Sequence, residues 1–303
     1  MQETIGKVIL NLDDYHGTDT YSDGDIEERL LEIVKGCETK EALLDQLTEE
    51  DDWALLYHLS PIRHNLLEWY DFHKGETLLE IGAGCGAVTG LFCQKGMKVT
   101  AIDLSKRRST INAYRNRQYE SLEIRVGNFE DITLTEKYDY VSLIGVLEYA
   151  IYYISSPEPF KDMLKKAKAL LKPGGKLLLA IENKYGLKYW AGASEDHTGR
   201  AFDGIEGYEG VQRVRTFSRD GLKELLTEAG YTSTAFYYPV PDYKMPTEIY
   251  SEDYLPRKGS IKTMSPNYDR ERMVLFNEVR AYDTLCDDGL YEQFANSFLV
   301  IAE

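Results

Sequence analysis

The 303-residue chain predicts an α/β fold built on a doubly wound, mostly parallel sheet of seven strands. Three observations carry this expectation. Segments that read as strands at 77–81, 97–102, about 122–126 and about 139–144 alternate with segments of helical period, the pattern of strands joined by crossover helices. The first run ends in a carboxylate and three glycines, Glu80-Ile-Gly82-Ala83-Gly84-Cys-Gly86, before a helical pattern resumes. Leu170-Leu-Lys-Pro-Gly-Gly-Lys-Leu-Leu-Leu-Ala-Ile181 then reads as helix end, glycine turn and a fifth strand buried on both faces.

Residues 1–74 read as an N-terminal helical cap or lid. Apolar spacing predicts a helix over 25–34, with Ser22 or Asp23 as its cap, and a second over 40–47. A third runs over 61–72, opened by Ser60 as N-cap and Pro61 in the first turn. The remaining 75–303 form the main domain, with helices near 87–95, 105–117 and 159–171. Ser218 caps a helix that closes at Gly230, strand six covers 231–238, and 294–302 is the last strand. Two stretches exceed the minimal fold, about 183–215 and about 239–292, the second with a helix over 269–282.

Charge and cysteines narrow the function. Lys plus Arg is 35 against 51 acidic residues, a formal charge of −16, so the surface repels nucleic-acid phosphates and anionic membranes. Lys106-Arg107-Arg108 is a solvated helix start rather than a basic patch. The apolar run Lys7–Leu12 is far too short to span a bilayer, and no signal peptide is visible. Four cysteines without a CxxC pair indicate neither a zinc site nor a disulfide framework, which fits a cytoplasmic protein. A homodimer stays open.

Gly82, Gly84 and Gly86 let the backbone turn with positive φ and let a ligand reach the main chain. Gly82-x-Gly84-x-x-Ala87, followed by Asp103 at the end of the next apolar run, also satisfies the loose dinucleotide pattern. Glu80 opposes that reading, because its charge repels a pyrophosphate and suits a ligand bearing an ammonium and a sulfonium. The arrangement resembles the cofactor loop of class I S-adenosylmethionine-dependent methyltransferases, and the Leu-Lys-Pro-Gly-Gly-Lys string is a mark of the same family.

The resemblance implies a Rossmann-like methyltransferase fold whose last strand inserts antiparallel between strands five and six, with S-adenosylmethionine as cofactor. It places Glu80, Gly82, Ala83, Gly84 and Gly86 at the cofactor, with Asp103 and Leu104 at the ribose. Asn128, Phe129 and Glu130 fall beside the adenine, Gly145 and Glu148 near the sulfonium, and Arg63 on the lid meets the methionine carboxylate. Asn128 also reads simply as the residue that closes a turn.

The insertion that leaves strand five is expected over the methyl group, since ligand-choosing segments follow the carboxyl ends of strands. It mixes Tyr185, Tyr189 and Trp190 with Glu195, Asp196 and His197. Aromatic faces pack on sugar C–H groups while acids and imidazole take hydroxyls. His197 is the candidate general base for an oxygen nucleophile, oriented by Asp196 or Glu195. In the second insertion Tyr243 is a candidate substrate contact among prolines that fix an extended path. No spacing specific to a metal site is visible.

Asn183-Lys-Tyr-Gly-Leu-Lys-Tyr-Trp-Ala-Gly192, Glu195-Asp-His-Thr-Gly199 and Tyr237-Tyr-Pro-Val-Pro-Asp-Tyr243 resemble bacterial methyltransferases encoded beside glycosyltransferases for cell-surface glycans. The implied acceptor is a small molecule or a sugar, methylated at oxygen. Two other readings compete: a catalytically silent cofactor-binding scaffold subunit, and an NAD-dependent oxidoreductase, which Glu80 and the Pro-Gly-Gly turn oppose.

Overall fold

A computed structural model describes the chain except residues 18, 20–23, 49–51, 210–213 and 266–270. It divides into two units, Met1–Ser142 with Leu170–Gly175, and Leu143–Ala169 with Lys176–Glu303.

The first unit opens with strands β1 (Gln2–Ile5) and β2 (Val8–Asn11). Helices α1 (Asp25–Gly36), α2 (Lys40–Thr48) and α3 (Trp53–Leu59) follow, then a 3₁₀ turn over Pro61–Leu66. Next come β3 (Thr77–Ile81), α4 (Thr89–Gln94), β4 (Lys98–Asp103), α5 (Lys106–Arg115) and β5 (Leu122–Val126). The strand order is β1-β2-β5-β4-β3. β3 runs parallel to β4 with Thr77 opposite Lys98, and β4 parallel to β5 with Val99 opposite Leu122. β3 is buried from Leu78 to Ile81, the mark of a strand covered on both faces, while β5 alternates buried Leu122, Ile124 and Val126 with half-buried Glu123 and Arg125.

The hairpin β1–β2 was not expected. Val8 and Leu10 are buried while Ile9 is exposed, and β2 pairs in parallel with β5 at Ile9↔Glu123, so the N-terminal segment is more than helices. The expected helix over 61–72 is also corrected. Asp52 accepts from the amides of Ala54 and Leu55 at 2.8 and 3.4 Å and starts α3. Beyond Pro61 only the 3₁₀ turn forms; Leu67 leaves helical geometry at φ −134°, and the Trp69 indole donates to the Leu66 carbonyl at 2.9 Å. α1 begins after Gly24, and the two expected caps, Ser22 and Asp23, lie outside the described residues. Leu30, Val34, Leu47, Leu55 and Leu59 from the three helices pack with Cys85 of the glycine loop and Ile111 of α5. Arg108 on α5 pairs with fully buried Glu27 on α1 at 2.7 Å.

β6 (Tyr138–Ile144) precedes the second unit's α6 (Ala150–Tyr153) and α7 (Pro159–Ala169). β7 (Leu171–Glu182), α8 (Leu187–Trp190), α9 (Arg219–Glu228), β8 (Thr234–Val240) and β9 (Glu248–Ser251) follow. The chain ends in α10 (Glu278–Asp287), α11 (Tyr291–Phe294) and β10 (Ser297–Ala302). As the resemblance implied, β10 lies antiparallel between β7 and β8, with Leu179 and Phe236 both opposite Val300. β9 adds a further antiparallel strand, Tyr250 opposite Tyr238.

Two local expectations are corrected here. Pro173-Gly-Gly175 is not a separate turn, since β7 runs straight through it; a Cβ on Gly175 would stand 3.0 Å from the Tyr138 carbonyl, so only a bare backbone packs there. Of the helix expected over 269–282, residues 269–270 lie outside the described residues; in the rest it starts at Glu278, where the Asn277 side chain accepts from the Arg280 amide at 3.1 Å.

Candidate active site

At the end of β3 the chain turns through Gly82, Gly84 and Gly86 with φ of 71, 53 and 76°. The amides of Gly82 and Ala83 both donate to the Ile102 carbonyl, at 2.8 and 3.0 Å, which ties the hairpin to the end of β4. There Asp103 takes the Gly84 amide on Oδ2 at 2.8 Å and the Ser105 amide on Oδ1 at 2.9 Å. Each carboxylate oxygen keeps a further lone pair for a ligand hydroxyl. A Cβ built on Gly84 meets nothing within 4 Å, so the loop presents bare backbone to open space. This cradle fits the adenosyl group that the loop was read to hold. Helix α4 starts only at Thr89, two residues later than expected.

Glu80 differs from its sequence reading in one respect. It is 5% exposed and its Oε2 accepts from the Thr89 hydroxyl, and burial pushes its carboxyl up to about 8. In the free loop it is therefore mostly neutral at pH 7, and its charge appears only when a cation or higher pH removes the proton.

The remaining cofactor candidates are spread over both units. In the first, the Asn128 side chain accepts from the Glu130 amide at 3.3 Å and its carbonyl from the Asp131 amide at 2.9 Å, closing the turn after β5, with Phe129 buried. Leu104 is half-buried beside Asp103. Arg63 is buried, its guanidinium 4.5 Å from the centre of the Tyr57 ring. In the second unit, Gly145 has φ of 68° and donates its amide to the Ala180 carbonyl at 2.9 Å. A Cβ there would stand 2.7 Å from the hydroxyl of buried Tyr243, so it is the bare backbone at 145 that leaves room for that hydroxyl.

The second unit also assembles a buried polar cluster. Glu195 Oε1 lies 2.9 Å from His197 Nδ1, and Glu195 Oε2 accepts the amides of His197 and Thr198 at 2.8 and 2.7 Å. Of the two candidates for orienting the imidazole, Glu195 is thus the one in contact. Nε2 points to Glu148 Oε1 at 3.7 Å and Glu182 Oε2 at 4.0 Å, and the Tyr149 ring packs edge-on at 5.3 Å. Burial disfavours charge on His197, but Glu148, Glu195 and Glu182 outweigh it and hold its pKa well above the usual value. Burial and the Glu182 charge raise Glu148 above the usual carboxyl range despite His197.

Asp196 turns the other way. It bonds the Tyr189 hydroxyl, and Lys188 at 2.9 Å and Lys244 at 3.2 Å. Burial opposes its charge, yet the two ammonium groups hold its pKa well below the usual range. Lys188 reaches Asp242 as well, at 2.9 Å, and Lys244 bonds Glu182 Oε1. Tyr189 is buried in this network, Tyr185 is half-buried under the Lys184 ammonium, and Trp190 is 39% exposed against Phe294. Sequence reasoning missed Glu182, Lys188, Asp242 and Lys244. Glu182 carried a signal: like Glu80, it is a carboxylate ending a buried apolar run.

The family model for a methyltransferase domain matches residues 54–235. The chain is 28% identical over 133 residues to a ubiquinone biosynthesis O-methyltransferase of Coxiella burnetii, a match covering 43% of this chain and 53% of that one. It is 35% identical over 103 residues to an uncharacterized methyltransferase of Staphylococcus carnosus, covering 34% and 45%. The chain thus spans about half the length of the curated relatives it matches. Among solved structures, a SAM-dependent methyltransferase from Archaeoglobus fulgidus is 14% identical, with 83% of this chain and 99% of that one covered at a TM-score of 0.49. With more than half of its residues inside the family model, this chain belongs to the methyltransferase-domain family, as a class I member whose cofactor is S-adenosylmethionine.

Proposed function

We propose that this chain transfers a methyl group from S-adenosylmethionine to an oxygen of a small hydroxylated acceptor, a phenol or a sugar of a cell-surface glycan. Family membership supports methyl transfer over the dinucleotide reading. The name of the Coxiella relatives supports oxygen as the attacking atom, and the insertion strings support a sugar. The four free cysteines fit a reducing cytoplasm.

In the first unit, Gly82–Gly86 with Glu80, Asp103 and Leu104 would hold the adenosyl end, Asn128–Glu130 the adenine and Arg63 the carboxylate; for Gly145 and Glu148 of the second unit the sulfur-end role rests on the resemblance alone. The bound cofactor supplies an electrophilic methyl on a cationic sulfur. The acceptor oxygen must shed its proton as it forms the new bond, and that task is assigned to the cluster centred on His197. The observation carrying this assignment is the 2.9 Å contact between Glu195 and His197 Nδ1, which turns Nε2 toward two more buried carboxylates. Asp196 acts one step removed, holding Lys188, Lys244 and Tyr189 around the insertion. Tyr185, Trp190 and Tyr243 are assigned to the acceptor.

The test is methyl transfer from labelled cofactor to panels of phenols and sugars, run beside calorimetry with S-adenosylhomocysteine. The expected result is an O-methylated product, with His197→Ala binding S-adenosylhomocysteine normally while losing about 10² to 10⁴ in turnover. Unchanged turnover in that variant removes the cluster from the reaction. Binding without any product favours the silent scaffold.

A further inference from the structure

Three segments bring one ligand atom each to a common point in the second unit. Glu148 lies in the short helical turn that follows β6, Glu182 at the end of β7, and His197 in the insertion beyond it. Their ligand atoms all lie within 4.8 Å of one another. The separations from His197 Nε2, 3.7 Å to Glu148 and 4.0 Å to Glu182, are too long for hydrogen bonds. They are within about half an ångström of the spacing between ligands that share an ion at roughly 2.0–2.2 Å.

A second observation points to the same place. Glu148 and Glu182 are 1% and 0% exposed, and Oε2 of each meets no hydrogen-bond donor among the described residues. Glu182 Oε2 is the very atom that faces Nε2. Buried carboxylate oxygens are costly unless a donor or cation satisfies them, and Lys244 takes the other oxygen of Glu182 rather than Oε2. The cluster holds five carboxylates, those of Glu148, Glu182, Glu195, Asp196 and Asp242, against the ammonium groups of Lys188 and Lys244.

We propose that Glu148, Glu182 and His197 bind a divalent transition-metal ion such as Mn²⁺ or Zn²⁺. Two carboxylate oxygens and an imidazole nitrogen suit such ions better than Mg²⁺ or Ca²⁺, which prefer all-oxygen shells. The surrounding contacts are those of a supported ligand set. Glu195 holds the proton on Nδ1, so an ion arriving at Nε2 would displace only the proton facing Glu148 and Glu182, and Lys244 on Oε1 of Glu182 orients its Oε2. Three protein ligands leave coordination positions for oxygen ligands. The inference deepens the function proposed above and rests on it only for the ion's use: the ion would make an acceptor hydroxyl more acidic, and the proton assigned above to this cluster would pass to Glu148 Oε2 while His197 Nε2 holds the metal.

The experiment treats the full-length chain with chelator, removes the chelator, and titrates with Mn²⁺ alone, reading free Mn²⁺ by electron paramagnetic resonance. A single saturable site per chain is expected, displaced by Zn²⁺. Glu148→Gln and Glu182→Gln keep side-chain shape and should each weaken binding about tenfold or more, with Glu195→Gln in the same direction. Exposed Glu158→Gln should leave it unchanged, and circular dichroism checks that each variant is folded. Absence of saturable binding to the wild type, or equal binding by folded Glu148→Gln and Glu182→Gln, overturns the site. The two readings fail separately: metal bound without methyl transfer overturns the reaction alone, and methyl transfer by a chain that binds no metal overturns the metal site alone.

Discussion

Glu80 and Thr89 are locked together under the glycine loop: Glu80 Oε2 accepts from the Thr89 hydroxyl at 2.5 Å, and Thr89 Oγ1 accepts from Asn112 Nδ2 at 3.0 Å. All three side chains are buried, and burial raises the Glu80 carboxyl to about 8, with the Thr89 bond working against it. The unfolded chain gives up this proton near 4.5 and the folded chain near 8, so folding favours the protonated form. The stabilisation is complete below the unfolded value, declines as pH climbs toward 8, and is level beyond. Urea unfolding at acid and mildly alkaline pH should show the wild type losing more stability than Glu80→Gln across that window, by something on the order of a few kcal/mol. Parallel profiles would mean that Glu80 is ionised in the folded chain.

Gly86 and Gly84 should respond differently to alanine although both have positive φ. At Gly86 the new Cβ would stand 2.4 Å from Asn112 Oδ1, which cannot retreat because Asn112 is fully buried and bonded to Thr89 and Asn116. At Gly84 it would meet nothing. Gly86→Ala should cost about 1–3 kcal/mol of stability from backbone strain and further from the clash. Gly84→Ala should cost roughly 1 kcal/mol but weaken S-adenosylhomocysteine, whose cradle it fills. Thermal melts and calorimetry on the two variants separate these effects, and equal melting losses would contradict the geometry.

The sheet was largely legible because its strands carry either a continuous apolar run, as in β3, or a strict alternation, as in β5. The runs at 77–81 and 122–126 match β3 and β5 to the residue. The hairpin at the N-terminus was not, since β2 is only Val8–Asn11 and finds its partner more than a hundred residues away in β5. In the candidate site, Glu195 and His197 could be paired from their spacing, two residues apart in one turn. Lys188, Asp242 and Lys244 could not, because charges beside tyrosines and prolines read as solvated loop. Only the folded chain, which buries Lys188 to 7% exposure, shows that they hold one another.

That ion network yields a stability prediction. Lys188 stands between Asp196 Oδ2 and Asp242 Oδ2, 2.9 Å from each, with its own side chain and that of Asp242 largely out of water. Lys188→Met removes the cation and leaves buried Asp242 beside partly exposed Asp196, with Lys244 still paired to Asp196, a change that should cost about 1–3 kcal/mol. Adding Asp242→Asn should recover part of that loss, since a neutral amide no longer repels Asp196. Chemical denaturation of the single and double variants checks this, and a double variant weaker than Lys188→Met would show that Asp242 is sustained by Lys244 instead.

Gly145 and Tyr243 offer a test of whether their contact matters beyond packing. An alanine at 145 must adopt a φ near 68° and place its Cβ 2.7 Å from the Tyr243 hydroxyl, while the nearest ring carbons stay at 3.6 Å. The obstacle is thus the hydroxyl alone, and Tyr243→Phe removes it while keeping the ring. Gly145→Ala should lose stability through both strain and clash, and Gly145→Ala/Tyr243→Phe should keep the strain but shed the clash. The expected coupling in a double-mutant cycle is about 1–2 kcal/mol, favouring the double variant. If the two substitutions simply add, backbone strain at Gly145 accounts for the whole cost. Measuring S-adenosylhomocysteine affinity on the same four proteins extends the cycle to the cofactor. A coupling in binding that exceeds the coupling in stability would mean that Gly145 and Tyr243 act on the ligand together, and equal couplings would confine their contact to packing.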